Sequence, residues 1–160
     1  MSVLFDAIGI IRTPFKTREG MPIQSSGAIG TKGKIELKKK LVQGLIDLDG
    51  FSHIILIYHF HKSIGYELQV TPFLDNKTHG VFSTRAPKRP NPIGMSVVKL
   101  VSINNNILEI ENVDMIDRTP LLDIKPYIPE FDKYDIEKGG WFENKSKNLN
   151  DVRSDDRFEK

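Results

Sequence analysis

The sequence predicts a mainly β fold: one compact β-barrel with one short helix and no Rossmann unit. Three observations predict it. Short segments rich in β-branched and aromatic residues recur along the chain, each ended by Pro, Gly, Asn or Asp. A single stretch has leucines at helical spacing. No glycine-rich loop follows a strand in the pattern that a dinucleotide-binding unit needs. Many short strands with one brief helix close most economically into a barrel.

The elements follow in order. Residues 7–12 are apolar and partly β-branched, and Thr13-Pro14 ends them. Residues 33–37 read as a second short strand. Leu41, Leu45 and Leu48 mark a helical turn or two, which Asp49-Gly50 closes. Residues 51–61 are the most strongly patterned. Period two places His53, Ile55, Ile57, His59 and His61 on one face and Ile54, Leu56, Tyr58 and Phe60 on the other. Apolar side chains on both faces predict a fully buried strand. Residues 81–84 read as short and extended. Residues 95–103 and 107–113 are two strands joined at Asn104-Asn105-Asn106, whose residues suit the left-handed backbone of a hairpin turn. Residues 121–124 give a last short strand before Pro126. Beyond Phe131 the apolar density falls: residues 136–160 hold six cations and six anions, with Trp141 and Phe142 as the anchor pair. Residues 1–132 are therefore expected to form the barrel domain, and residues 133–160 a polar tail, partly packed or mobile.

Composition excludes several classes. The chain has 160 residues, 39% hydrophobic and 28% charged, as an ordinary globular domain does. It has no cysteine, so disulfides and thiolate metal sites are ruled out and a cytoplasmic location is expected. The longest apolar run, residues 54–58, is too short to cross a bilayer, and residues 1–6 lack the features of a signal peptide. The cluster Gly27-Ala28-Ile29-Gly30-Thr31-Lys32-Gly33-Lys34 fails the phosphate-loop pattern, because Ala28 stands at its first glycine and Ile35 at its Ser or Thr. His59 and His61 can share a strand face, but no neighbouring acid completes a metal site, and none is expected.

Two segments carry chemistry. The formal charge is only +2, but residues 80–100 contain Arg85, Lys88, Arg89 and Lys99 and no acid. On charge alone a solvated basic loop ranks ahead of a phosphate site. The prolines decide between them. Pro87, Pro90 and Pro92 fall within six positions and stiffen a loop that displays Arg85, Arg89 and Asn91. Rigid placement of donors is what binding a small polar or anionic ligand demands. In the second segment Asp114, Asp117 and Asp123 accompany Arg118 and Lys125 where a strand meets a turn.

Together, Ser83-Thr84-Arg85 through Gly94 and Asp117-Arg118-Thr119-Pro120 through Tyr127 resemble the signature of the TsaA-like (TrmO) family of S-adenosylmethionine-dependent tRNA adenine-N6-methyltransferases. The likeness starts at Ile8-Gly9-Ile10-Ile11-Arg12-Thr13-Pro14 and continues to Pro129, most of the chain. The resemblance implies a single barrel that binds S-adenosyl-L-methionine, a homodimer, and methylation of threonylcarbamoyladenosine 3′ of the anticodon of threonine tRNA. It implies a cofactor site of Gln24, Ser25, Ser26, His61, Lys62, Arg85, Asp117, Arg118, Thr119 and Pro120. Lys88, Arg89, Asn91, Lys125 and Tyr127 are the candidate contacts to the anticodon loop of tRNA. The acceptor nitrogen belongs to a urea and is a poor nucleophile, so a proton acceptor helps, and Asp114 or Asp117 is the candidate. Longer bacterial relatives carry a further C-terminal domain, and the polar tail here is not expected to build a second core. Two rivals stand beside this reading: the same cofactor site with another tRNA or a small-molecule acceptor, and a non-catalytic S-adenosylmethionine-binding module.

Overall fold

Among the described residues eight strands form where short β-branched runs alternate with turn residues: β1 (Gly9–Arg12), β2 (Lys32–Leu37), β3 (His53–His59), β4 (Gln69–Val70), β5 (His79–Gly80), β6 (Ile93–Asn104), β7 (Ile107–Glu111) and β8 (Thr119–Pro126). The computed structural model describes residues 1–143, 145, 153–155 and 158. Six of the strands close into a barrel in the order β1-β2-β7-β6-β3-β8, and β8 returns to pair with β1. Every pairing among the described residues is antiparallel, so no Rossmann-type crossover is formed. β4 and β5 make a separate two-stranded sheet.

Alternation fills the barrel. Ile11, Ile35, Ile54, Leu56, Val98, Leu108, Ile110 and Leu121 point inward and are essentially inaccessible to solvent. The outward residues of β3 stay half-buried, so β3 is covered on one face only, not on both as its composition suggests. Two bulges let the strands curve: Val101 is the extra residue of β6 against β7, and Leu122 that of β8 against β3. The β6–β7 hairpin turns at Asn105, whose φ of +52° is the left-handed backbone that asparagine tolerates. The Asn106 amide then donates to the Leu37 carbonyl, 2.9 Å away, and ties the hairpin to β2.

Local geometry corrects several sequence expectations. The helical stretch after β2 is a 3₁₀ turn at Lys39–Leu45 followed by another at Leu48–Gly50, and only Leu45 of them is buried. The short α-helix lies instead at Pro129–Asp132 (α1), where Pro129 starts the helix without needing an N–H. Of residues 81–84 only Thr84 is extended: Val81–Ser83 form a 3₁₀ turn. β8 is longer than residues 121–124, because a strand tolerates Pro120 and Pro126 near its ends.

Strand direction defines the functional end. β1, β3 and β7 finish, and β2, β6 and β8 begin, at the same mouth of the barrel. Tail residues reach this mouth. Ser154 forms backbone hydrogen bonds with Gly20 (3.1 Å) and Met21 (2.8 Å), and its hydroxyl donates to the Arg18 carbonyl. Phe158 packs edge-on against Phe73, with centroids 5.0 Å apart, beside Val70, Val81 and Ala86. Trp141 donates from Nε1 to the Ser83 carbonyl at 2.7 Å and stacks on His79. Much of residues 144–157 lies outside the described residues.

Candidate functional site

The mouth opens into a cleft of about 1020 Å³, at the upper end of the range for small-molecule sites. Its walls come from the segments around Gln24, His61, Arg85, Asp114 and Trp141, far apart in sequence. Gly94 makes the floor possible. A Cβ there would lie 2.3 Å from the Tyr58 ring and 2.8 Å from that of Phe60, so glycine lets both rings cross β6. The rings meet edge-on at 5.5 Å.

Asp114 lies in this floor. Its Oδ1 accepts a hydrogen bond of 2.7 Å from the Ser96 hydroxyl, and Ser96 in turn sits 3.0 Å from the Tyr58 hydroxyl. Burial pushes the Asp114 carboxyl up to about 6, against the opposing pull of Ser96, of backbone amides including that of Ser25, and of the Arg85 charge. Burial likewise holds the Tyr58 phenol well above its ordinary value. His61 is lowered, first by burial and then by the cations near it.

The proline-stiffened loop holds its arginines differently. Arg85 is exposed, and its Nη1 donates to Gln24 Oε1 at 2.9 Å, joining two segments that sequence reading placed in one site. Arg89 turns back on its own loop, with Nη1 3.2 Å from the Thr84 carbonyl and 3.5 Å from that of Ala86. Asn91 is exposed on the lip.

Nine of the residues singled out from sequence line the cleft: Gln24, Ser26, His61, Lys62, Arg85, Arg89, Asn91, Asp114 and Thr119. Ser25 stands behind it, reaching Asp114 through its amide. Asp117 and Arg118 lie in a neighbouring groove of about 260 Å³ that shares His61 and Lys62. Pro120 pairs with Ile10 in the barrel wall. Of the two candidate proton acceptors, Asp117 does not face the cleft. It bonds Lys16 Nζ at 2.6 Å and the Thr13 amide at 3.1 Å. Burial alone would raise its carboxyl, but Lys16 and the Thr13 amide outweigh that and leave it below the usual range. Lys88 pairs with Glu67 at 3.0 Å, and its side chain is only 12% exposed. Lys125 and Tyr127 are not brought to the mouth. They lie at the far end of β8, roughly 20 Å from Thr119 at about 3.3 Å per residue, where Lys125 pairs with Asp123.

Sequence reading missed Arg18, Tyr58, Ser96 and Trp141, all in or directly behind the cleft. Arg18 is 9% exposed and donates to the Phe158 carbonyl at 3.1 Å. A hydroxyl pair on diagonal positions of two strands was the available signal for Tyr58 and Ser96, but it appears only once the β3–β6 register, with Tyr58 opposite Gly94 and Ser96 opposite Leu56, is known.

The cleft can therefore hold a ligand with three chemical parts. Arg18, Arg85 and Lys62 suit an anionic head, the buried Asp114 carboxylate suits a cationic centre, and Tyr58, Phe82, Met95 and Trp141 suit a planar apolar body. Among known proteins, the sequence model of the tRNA-methyltransferase O N-terminal domain matches residues 10–133. A Pyrococcus abyssi protein named as a probable S-adenosyl-L-methionine-binding protein is 49% identical over 158 residues, 99% of this chain and 86% of its own length. The mouse tRNA (adenine(37)-N6)-methyltransferase is 36% identical over 138 residues, 82% of this chain but 32% of its own length. A crystal structure of TrmO superposes with a TM-score of 0.76 at 37% identity, covering 88% of this chain and 64% of that one. TrmO from Pseudomonas aeruginosa gives 0.74 at 34% identity, covering 88% and 63%. The chain thus spans less than two thirds of those solved chains. Match, fold and mouth agree, and the chain belongs to the family of tRNA-methyltransferase O N-terminal domains.

Proposed function

We propose that the protein binds S-adenosyl-L-methionine in this cleft and methylates N6 of threonylcarbamoyladenosine, 3′ of the anticodon, in threonine tRNA. The observation that carries the reading is the buried Asp114 carboxylate in a cleft whose lining also includes cations and aromatic rings. The donor set fits the cofactor: an amino-acid head, a sulfonium and an adenine need cations, a carboxylate and flat apolar walls, and all are present. When bound, the cofactor supplies a methyl carbon whose bond to sulfur breaks with its electron pair left on sulfur.

This chain's own residues do the rest. Arg85, fixed by Gln24, and the Ser25–Gly27 turn orient the ligand, and the tail side chains Trp141 and Phe142 narrow the mouth against water. Asp114 takes the proton from the acceptor nitrogen. Its elevated affinity for protons matches that task, because a base poised near the working pH is both deprotonated and receptive. Asn91 on the lip is placed for the acceptor strand. We place residues 1–132 as the catalytic unit and residues 133–160 as the tail that walls it, in a cytoplasmic homodimer. Among the described residues no helix is long and apolar enough to cross a membrane.

The test is mass spectrometry of tRNA nucleosides from cells with and without the gene, paired with calorimetry of the purified protein and the cofactor. Loss of one methyl from threonylcarbamoyladenosine is the expected result. Uptake of the cofactor without that loss would favour another acceptor or a binding module, a reading that the name of the Pyrococcus abyssi relative also allows.

A further inference from the structure

We infer that Tyr58 and Ser96 are positioning residues for methyl transfer, forming a one-directional proton-donor chain that fixes Asp114 as an acceptor toward the cleft. This rests on the reading of Asp114 as the base. The chain runs across two strands of the barrel. Tyr58 on β3 and Ser96 on β6 are each 4% exposed, and their hydroxyls meet each other in the buried floor. Ser96 donates to Asp114 Oδ1 at 2.7 Å, so its single proton is committed there. The Tyr58 hydroxyl, 3.0 Å away, must then donate to Ser96. The phenol keeps its proton throughout the working range. While Asp114 is ionised, the direction Tyr58 to Ser96 to Asp114 follows from proton count.

The consequence lies on the carboxylate as a whole. Ser96 holds Oδ1, and the Ser25 and Asp114 amides also reach the group, so fixed donors hold it in one orientation toward the cleft. During transfer the acceptor N–H bond breaks and its proton goes to the Asp114 carboxylate, while the nitrogen pair forms the bond to the methyl carbon as the bond to sulfur is released. The chain also tunes the group. Burial raises the carboxyl and the Ser96 donor lowers it, so the pair sets the pH at which the base is available. Among the described residues the other ionisable groups on the cleft wall are Arg18, His61, Lys62, Arg85 and Arg89, and of these the Arg85 charge also lowers Asp114.

The experiment follows the Asp114 carboxyl carbon by NMR against pH in full-length, isotope-labelled protein, in wild type, Ser96→Ala and Tyr58→Phe. The wild-type midpoint is expected near 6. Loss of a donor to the charged form should raise it by about one pH unit in Ser96→Ala, and by less in Tyr58→Phe. Tyr58→Phe keeps the ring over Gly94 and provides a variant with the packing intact. The acid limb of kcat should move upward with the midpoint. An unmoved or lowered midpoint in both folded variants overturns the chain, and a moved midpoint with an unmoved rate limb overturns Asp114 as the acceptor. A wild type that binds the cofactor and methylates nothing sinks the functional reading, and the NMR titration, which needs no turnover, still decides the chain.

Discussion

Asp114 and Asp117 lie three positions apart, and the fold gives them opposite electrostatics. Asp117 is lowered, so its contribution to stability is present above the ordinary carboxylate range and is lost as pH falls through its folded value. Asp114 is raised from 3.8 to about 6, so the sign reverses. The native state binds this proton more tightly than the unfolded chain, and stability declines as pH rises from about 4 to about 6. At neutral pH the buried charge costs about 3 kcal/mol by that shift. Asp114→Asn should therefore raise the urea midpoint at pH 7 and flatten the slope between pH 4 and 6, while abolishing turnover. A midpoint that falls instead would show that the carboxylate stabilises the floor. Gly94 gives a second prediction at this scale. Gly94→Ala sets a Cβ 2.3 Å from the Tyr58 ring, and the overpacking should cost about 1–3 kcal/mol in chemical denaturation. None of this was visible in the sequence, where both aspartates precede the same turn. What separates them is Lys16 and Thr13 on one side and Ser96 on the other, contacts closed only by the barrel.

Among elements, those with strict alternation were legible. Inward Ile35 and Leu37 of β2, Val98 and Leu100 of β6, and Leu108 and Ile110 of β7 each stand two positions apart, and the Asn104-Asn105-Asn106 turn falls where the register requires it. The 3₁₀ turn at Val81–Ser83 was not, because three apolar or small residues have the composition of a strand, and a local Ser83 hydroxyl bond to the Gly80 carbonyl favours the turn. The proline-rich loop was legible as rigid but not in its wiring. Arg89 was expected to face RNA, yet it holds the carbonyls of Thr84 and Ala86 and so fixes the loop that carries Arg85. Arg89→Ala should loosen that loop and weaken cofactor binding about tenfold by calorimetry, as the loss of a charge-assisted bond of about 1.5 kcal/mol would. Its salt dependence should match wild type. A steeper loss at high salt would instead return Arg89 to a phosphate-binding role.

At the scale of the whole molecule, the proposed homodimer needs an exposed apolar face, and the outer wall offers one. The faces of β3 and β6 that point away from the core pair Ile55 with Val97, Ile57 with Met95 and His59 with Ile93. Met95 is 48% and Ile93 40% exposed, and both also line the cleft. Charged Lys99, Asp123 and Lys125 border this stripe, which gives it the apolar centre and polar rim of a protein–protein contact. A twofold partner on it would cover the open side of the cleft and shield the reacting atoms from water. Lys125, expected at the substrate, would then stand at the edge of a subunit contact, a placement that depends on which end of β8 reaches the mouth and cannot be read from the motif alone. Ile57→Lys places a charge at the centre of the stripe without touching the cleft floor. It should convert two associated 18.2 kDa chains into single ones by light scattering. Cofactor affinity should drop with the mass, because Ile93 and Met95 lose their cover. A wild-type protein that already scatters as one chain would remove the partner from the mouth and leave the tail as its wall.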